Sequence, residues 1–292
     1  MSKTEYHIDA TALKHSACIH YLRRLVMDGY KMNNTGIAAK YGVAFHRYAE
    51  LRYSKRTSED AIDIATKLLP QDDDWRNSAH LVSTCLQFED FIEKDPFDPI
   101  RLTSEASSVE CKFKYMPCFE DDKYRVTLFG VIDALGFIGY QPTIRDYKVT
   151  AAYDKKEFFD RELRSPQHYV YKTVIAQLAE DCPESFGKFI DAQTQLVGIF
   201  ITKSGKVTIE TSEFLIDQEQ LDIFWSELLI LINNMLYSKA TVYNGLVSNI
   251  CSGRFDLCPL FHVCSAPKKE QEALLSYMFA KKPHHPDTVY ED

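Results

Sequence analysis

Apolar residues in the first third of the chain recur at spacings of three and four, the period of helices buried on one face. Such runs predict helices over residues 10–27, 38–53, 57–69 and 75–94. The sequence Asp95-Pro-Phe-Asp-Pro ends the last of them, because proline lacks the amide and crowds the preceding turn. The texture then changes. SSVECKFKYM, YRVTLFGVIDALGFI and TIRDYKVT are rich in β-branched and aromatic residues and separated by turn-like breaks, which predicts three strands. A helix is expected from Ser165, a good N-cap followed by proline at the first helical position. QTQLVGIFITKSGKVTIETSEF reads as a hairpin turning at Lys203, Ser204, Gly205 and Lys206. An amphipathic helix is expected over 217–248, and a cysteine-rich stretch covers 251–264. The order helices, three strands, helix, hairpin, helix implies an α/β fold with a mixed sheet flanked by helices. Its segments would be a helical lobe at 1–100, a core at 101–216, and at 217–292 a helix and cysteine-rich cap closing onto the lobe.

With 292 residues, 45% hydrophobic and 26% charged, the chain can bury a sizeable core without disulfides. The polar N-terminus has no apolar stretch of a secretory leader. No apolar run approaches the roughly 18 residues of a membrane span. A cytoplasmic protein with no membrane partner is therefore expected, and its eight cysteines read as thiols or metal ligands. The net charge of −8 speaks against a uniformly cationic nucleic-acid binder. Residues 1–56 nevertheless carry ten Lys/Arg against four Asp/Glu, so a local +6 stands on a remainder of −14. A basic lobe able to steer a polyanion and an ordinary solvated helical surface fit this equally well.

The densest chemistry lies in GVIDALGFIGYQPTIRDYKVT. Asp133 sits in an apolar strand, and Asp146 and Lys148 begin the next one. Period-2 alternation puts Asp146 and Lys148 on one face, with Tyr147 opposite. Two carboxylates on adjacent strands repel unless a cation lies between them, and oxygen ligands suit Mg²⁺ or Mn²⁺. A lysine beside such a cation could stabilise charge building on a phosphate. The plain alternative is a strand-edge ion pair of little energetic weight. His46 and Glu50 share one helix face, and Gln167 and Tyr171 another.

The ordered set Gly42/His46, Gly130/Asp133, Asp146/Lys148 and Gln167/Tyr171 resembles the RecB-type nucleases of the PD-(D/E)xK superfamily, over about residues 16–264. The resemblance implies a restriction-endonuclease-like core. It implies a metal held by His46, Asp133, Asp146 and the carbonyl of Tyr147. Lys148 would position and activate water, and Gln167 and Tyr171 would orient Lys148 or the DNA backbone. Glu110 is similar to an accessory acidic residue of that family.

Cys18, Cys251, Cys258 and Cys264 form a pattern similar to the iron–sulfur nucleases, among them AddB and the exonucleases of CRISPR adaptation. There a cluster ties the two ends of the nuclease fold together. Four thiolates suit a [4Fe–4S] centre and also a structural zinc. This chain departs from the pattern in placing six residues between Cys251 and Cys258, with Phe255 where a cysteine is expected. Cys85, Cys111, Cys118 and Cys182 read as buried small hydrophobes.

Together these features imply a Mg²⁺- or Mn²⁺-dependent DNA exonuclease for recombination, repair or end processing. DNA with free ends or a single strand is the expected partner. Trimming of DNA for CRISPR adaptation and a non-catalytic iron–sulfur or zinc scaffold are the alternatives. Neither Gly187–Lys188 nor Gly205–Lys206 is followed by Ser or Thr, so no phosphate-binding loop of an ATP motor is present. A helicase, or a recombination or integration factor, would be a separate partner.

Overall fold

The computed structural model describes residues 3–15, 18–32, 36–70, 74–100, 109–238 and 260–281. Strand β1 (Thr4–Asp9) and a 3-10 turn (Ala10–His15) precede α1 (Ile19–Val26), β2 (Tyr30–Met32), α2 (Ile37–Tyr53), α3 (Ser58–Thr66) and α4 (Ser78–Ile92). Strands β3 (Phe97–Pro99), β4 (Val109–Glu120), β5 (Tyr124–Ile138) and β6 (Gln141–Thr150) follow. Next come α5 (Lys155–Glu162), α6 (Pro166–Asp181), α7 (Pro183–Phe186), β7 (Gln193–Ile201), β8 (Val207–Phe214) and α8 (Gln218–Tyr237). Helices α9 (Phe261–Ser265) and α10 (Lys268–Met278) and strand β9 (Phe279–Lys281) end the described chain. Contacts divide it into two compact units. One comprises Met1–Asn34, Phe113–Gly130 and Gln218–Asp292, the other Thr35–Lys112 and Val131–Asp217.

The second unit is a mixed sheet with helices. β5 and β6 pair antiparallel from Ile138↔Gln141 to Ala134↔Arg145. β6 and β7 run parallel from Thr143↔Gln193 to Thr150↔Phe200, and β7 turns back on β8. Parallel neighbours need a crossover, which α5, α6 and α7 supply. β3 lies antiparallel on the end of β5. A Cβ at Gly136 would stand 2.3 Å from the Asp98 carbonyl, so only glycine admits β3 this close. Helix α2 buries Tyr41, Ala44, Phe45, Tyr48, Ala49 and Leu51, the helical spacing of one face. These residues share a core with Leu81, Cys85 and Phe88 of α4 and with Tyr147, Val197 and Ile199 of the sheet.

In the first unit β1 lies parallel to the start of β5, from Thr4↔Tyr124 to Asp9↔Phe129. Arg23 caps the end of α8, donating to the carbonyls of Met235 (2.8 Å), Asn234 (3.0 Å) and Ser238. β2 pairs with β9 beside an apolar cluster of Tyr30, Leu260, Val263, Leu275 and Phe279.

The sequence pattern and the structure differ in several places. The helix expected over 10–27 is, in its described residues, a 3-10 turn and a shorter α1, because Cys18 adopts extended backbone and its thiol caps the Tyr21 amide. β1, β3 and α5 were not expected; α5 begins where the Asp154 side chain accepts the Glu157 amide. The helix expected over 217–248 is described to Tyr237, and 239–259 lie outside the described residues. Cys85 is buried and Cys111 and Cys118 are half-buried, but Cys182 is exposed, since it ends α6 at the surface. The basic N-terminal stretch is divided between the two units, and much of its charge is engaged internally. Arg24 pairs with Asp28, Arg47 with Glu50 and Arg52 with Glu89.

Behind β6, Arg145 is fully buried. It forms a two-pronged ion pair with Asp95 and lies 3.8 Å over the Phe97 ring. Removing one partner of a buried pair strands the other charge in a poor solvent. Asp95→Ala should therefore destabilise the fold by about 3–5 kcal/mol, read as a lower denaturation midpoint with unchanged slope. A loss under about 1 kcal/mol would place Arg145 in contact with water.

Candidate active site

Alternation along β6 separates two jobs. Arg145 and Tyr147 turn into the core, where the Tyr147 hydroxyl donates to Tyr53 at 2.9 Å and its ring packs against Phe88. Asp146 and Lys148 turn the other way. The ladder register places Asp133 opposite Asp146 one step beyond Ala134↔Arg145. At that point the Asp133 carboxylate accepts the Tyr147 amide at 2.7 Å. The other oxygen of Asp133 lies 3.7 Å from Nδ1 of His46, on the face of α2 turned away from the core.

Glu110, near the start of β4, completes a cluster, its carboxylate 3.1 Å from the same His46 nitrogen. Ligand atoms of His46, Glu110 and Asp133 all lie within 4.8 Å of one another. Glu110 holds φ = +55°, left-handed backbone that a residue other than glycine adopts only at a cost of about 1 kcal/mol or more. Asp146 is fully buried and accepts Lys148 Nζ at 2.6 Å. Gln167 Nε2 lies 3.5 Å from the same carboxylate oxygen and also meets the Tyr171 hydroxyl. Tyr171 in turn donates to the Val131 carbonyl, fastening α6 to β5.

The electrostatics follow from burial. Burial pushes the Asp133 carboxyl upward, His46 pulls it back, and the neighbouring Asp146 raises it again. Burial works against a charged His46, but Asp133 and then Glu110 prevail and bring its pKa up to about 9. Burial likewise opposes a charged Lys148, yet Asp146 and Asp133 hold it at about 12. In the metal-free protein these carboxylates thus favour the charged form of Lys148. Glu162, at the end of α5, adds to the negative potential at Lys148. Sequence motifs did not single it out. The helix that carries it was not among the expected elements, so its place in a last turn, where the macrodipole disfavours an acid, could not be read from the sequence.

All eight residues expected around the D-x-K segment, His46, Glu110, Asp133, Asp146, Tyr147, Lys148, Gln167 and Tyr171, fall in the second unit. The tight cluster of ligand atoms contains Glu110, while Asp146 is held by Lys148 and Gln167. A model of the PD-(D/E)XK nuclease superfamily matches residues 13–265. The chain belongs to that superfamily. The mixed sheet flanked by helices is its α/β class of fold. No curated protein sequence matches. Among solved structures, a candidate exonuclease from Eubacterium rectale is similar, with 12% identity, a TM-score of 0.46, and coverage of 78% of this chain and 81% of that one. SSO0001 is similar at 12% identity and a TM-score of 0.29, with 81% and 82% covered. At these scores neither adds to the family assignment. Among the described residues no helix is long and apolar enough to cross a membrane.

Of the four cysteines expected to form a cluster, Cys18 is buried and Cys264 half-buried, both as thiols. Cys251 and Cys258 lie outside the described residues.

The His46 pKa can be checked directly. Its folded value, about 9, lies above the roughly 6.5 of an unfolded chain, so the protonated ring stabilises the metal-free fold. That contribution is full below about pH 6.5 and is lost as pH rises through 9. An NMR titration should follow the His46 ring near pH 9 in wild type and well below it in Asp133→Asn. Titration near 6.5 in both proteins would refute the coupling.

Proposed function

We propose that this nuclease-superfamily chain is a divalent-metal-dependent deoxyribonuclease that degrades DNA from an end. The carrying observation is the meeting of His46, Glu110 and Asp133 beside the Asp146–Lys148 pair. Two carboxylates and one imidazole within a few ångströms form a donor set suited to Mg²⁺ or Mn²⁺. His46, Glu110 and Asp133 would hold the cation, with Asp146 and the Tyr147 carbonyl as further ligands. Bound there, it supplies a lowered water pKa and a counter-charge for the phosphate. Lys148 orients the attacking water and offsets charge on the phosphate oxygens. Gln167 and Tyr171 keep the Asp146–Lys148 pair in place. The proton on His46, hydrogen-bonded to Glu110 and facing Asp133, would leave when a cation binds, so affinity should rise with pH up to about 9.

Attack from an end, and a role in recombination, repair or end processing, rest on the resemblance to RecB-type enzymes. Trimming of DNA for CRISPR integration fits the same site. Asp133→Asn and Asp146→Asn should each lower cleavage of end-labelled linear DNA in Mg²⁺ or Mn²⁺ by at least about a hundredfold, consistent with loss of a transition-state contact. Thermal melting should show both variants folded. A covalently closed single-stranded circle should be largely spared. Wild-type rates in either variant would refute the site, and rapid cutting of the circle would refute end-dependence.

We also propose an iron–sulfur cluster at Cys18, Cys251, Cys258 and Cys264, with structural zinc as the other metal suited to four thiolates. In support, Cys18 and Cys264 belong to the same compact unit. Tyr21, whose amide the Cys18 thiol caps, packs in the same apolar cluster as Cys264. Anaerobically purified protein should be brown with absorption near about 400 nm, and Cys18→Ala should bleach it. A colourless protein with stoichiometric zinc would replace the cluster; one with no metal at these thiols would refute both.

A further inference from the structure

The parallel strands β6 and β7 end at the same edge of the sheet. Thr150 is level with Phe200, and the β7–β8 turn closes just beyond. That turn is built to stay in place. The Thr202 amide donates to the Lys206 carbonyl at 3.0 Å, Gly205 supplies φ = +82°, and His80 bonds the Thr202 carbonyl at 2.9 Å. It presents Lys203 and Lys206, both exposed and unpaired with any carboxylate among the described residues.

Three residues past the end of β6 stands Tyr153, 101% exposed. Nothing in the second unit buries its ring. Exposed Lys156 follows, while Lys155 is taken up by Glu210 at 2.5 Å. Asp154 and Glu157 share this edge, with Asp154 occupied in capping α5. Surface tyrosines are common singly. This one shares its sheet edge with a pair of unpaired lysines, in a chain whose net charge is −8.

The distance to the chemistry is set by the register. Lys148 is level with Gly198, three residues before β7 ends at Ile201, and Lys203 lies in the turn just beyond. At about 3.3 Å per strand residue the turn begins roughly 10 Å from that level, or about three nucleotides of a stacked strand.

Resting on the nuclease reading above, we propose that the carboxyl edge of β6 and β7 holds a single-stranded DNA tail, with Tyr153 stacked on a base and Lys203 and Lys206 on phosphates. An exposed aromatic ring accepts an unpaired base of any identity, whereas a base within a duplex is already stacked. The two lysines contribute a sequence-independent, salt-sensitive attraction.

The test uses the full chain and fluorescein-labelled oligothymidylate in Ca²⁺, followed by anisotropy over a range of salt. Tyr153→Ala should weaken binding about tenfold. Lys203→Ala/Lys206→Ala should lower the slope of log affinity against log salt by about 1.4, the share of two phosphate contacts on a single strand. Tyr140→Ala, equally exposed but at the opposite end of β6, should bind as wild type. Melting curves check that all three variants fold. Wild-type affinity and slope in the first two variants, or an equal loss in Tyr140→Ala, would overturn the proposal while leaving a cleaving wild type as a nuclease. A wild type that leaves DNA intact in Mg²⁺ and Mn²⁺ would instead remove the nuclease reading itself.

Discussion

A single buried hydrogen bond organises the candidate site of this molecule, from the Tyr147 amide to the Asp133 carboxylate. Where the β5–β6 ladder stops, a side chain takes over the bonding of a backbone N–H that would otherwise be buried without a partner. This fixes one carboxylate oxygen and aims the other at His46. It also holds Tyr147 with its ring in the aromatic core, so Asp146 and Lys148 must emerge on the opposite face. The ion pair of Arg145 with Asp95 clamps the same strand from behind. The face of β6 that carries the candidate site is thus set by what its other side buries.

The site concentrates negative potential and answers it with cations at fixed places. Lys148 is held charged by Asp146, and in the metal-free state His46 is held charged by Asp133 and Glu110. The two cations differ in kind. Lys148 is paired with the Asp146 carboxylate, whereas the proton on His46 occupies a place that the proposed divalent ion would take. In the metal-dependent reading proposed above, competition between a proton and a metal for one set of ligands would couple activity to pH before any chemical step.

Much of this was legible in the sequence because its signals are local. The Asp146–Lys148 spacing reports a shared strand face, and Gln167 and Tyr171 report a shared helix face; the structure joins both pairs by direct contacts. Relations across the chain were less legible. The ranking of Glu110 above Asp146 in the ligand cluster depends on a left-handed residue at the start of β4, which no periodicity reveals. β1 was invisible because its partner is a strand more than a hundred residues away. The early arginines suggested a cationic surface, but residue counts cannot show that α8, Asp28 and Glu89 already occupy them.

The backbone at Glu110 sets two demands against each other. Glycine would sit there without strain and would also remove the carboxylate facing His46. A lineage drifting under selection for folding alone would be expected to accept that exchange, and the fold would gain by it. Glutamate at a position that favours glycine is what would be expected if its carboxylate serves the chemistry proposed above at some cost in stability.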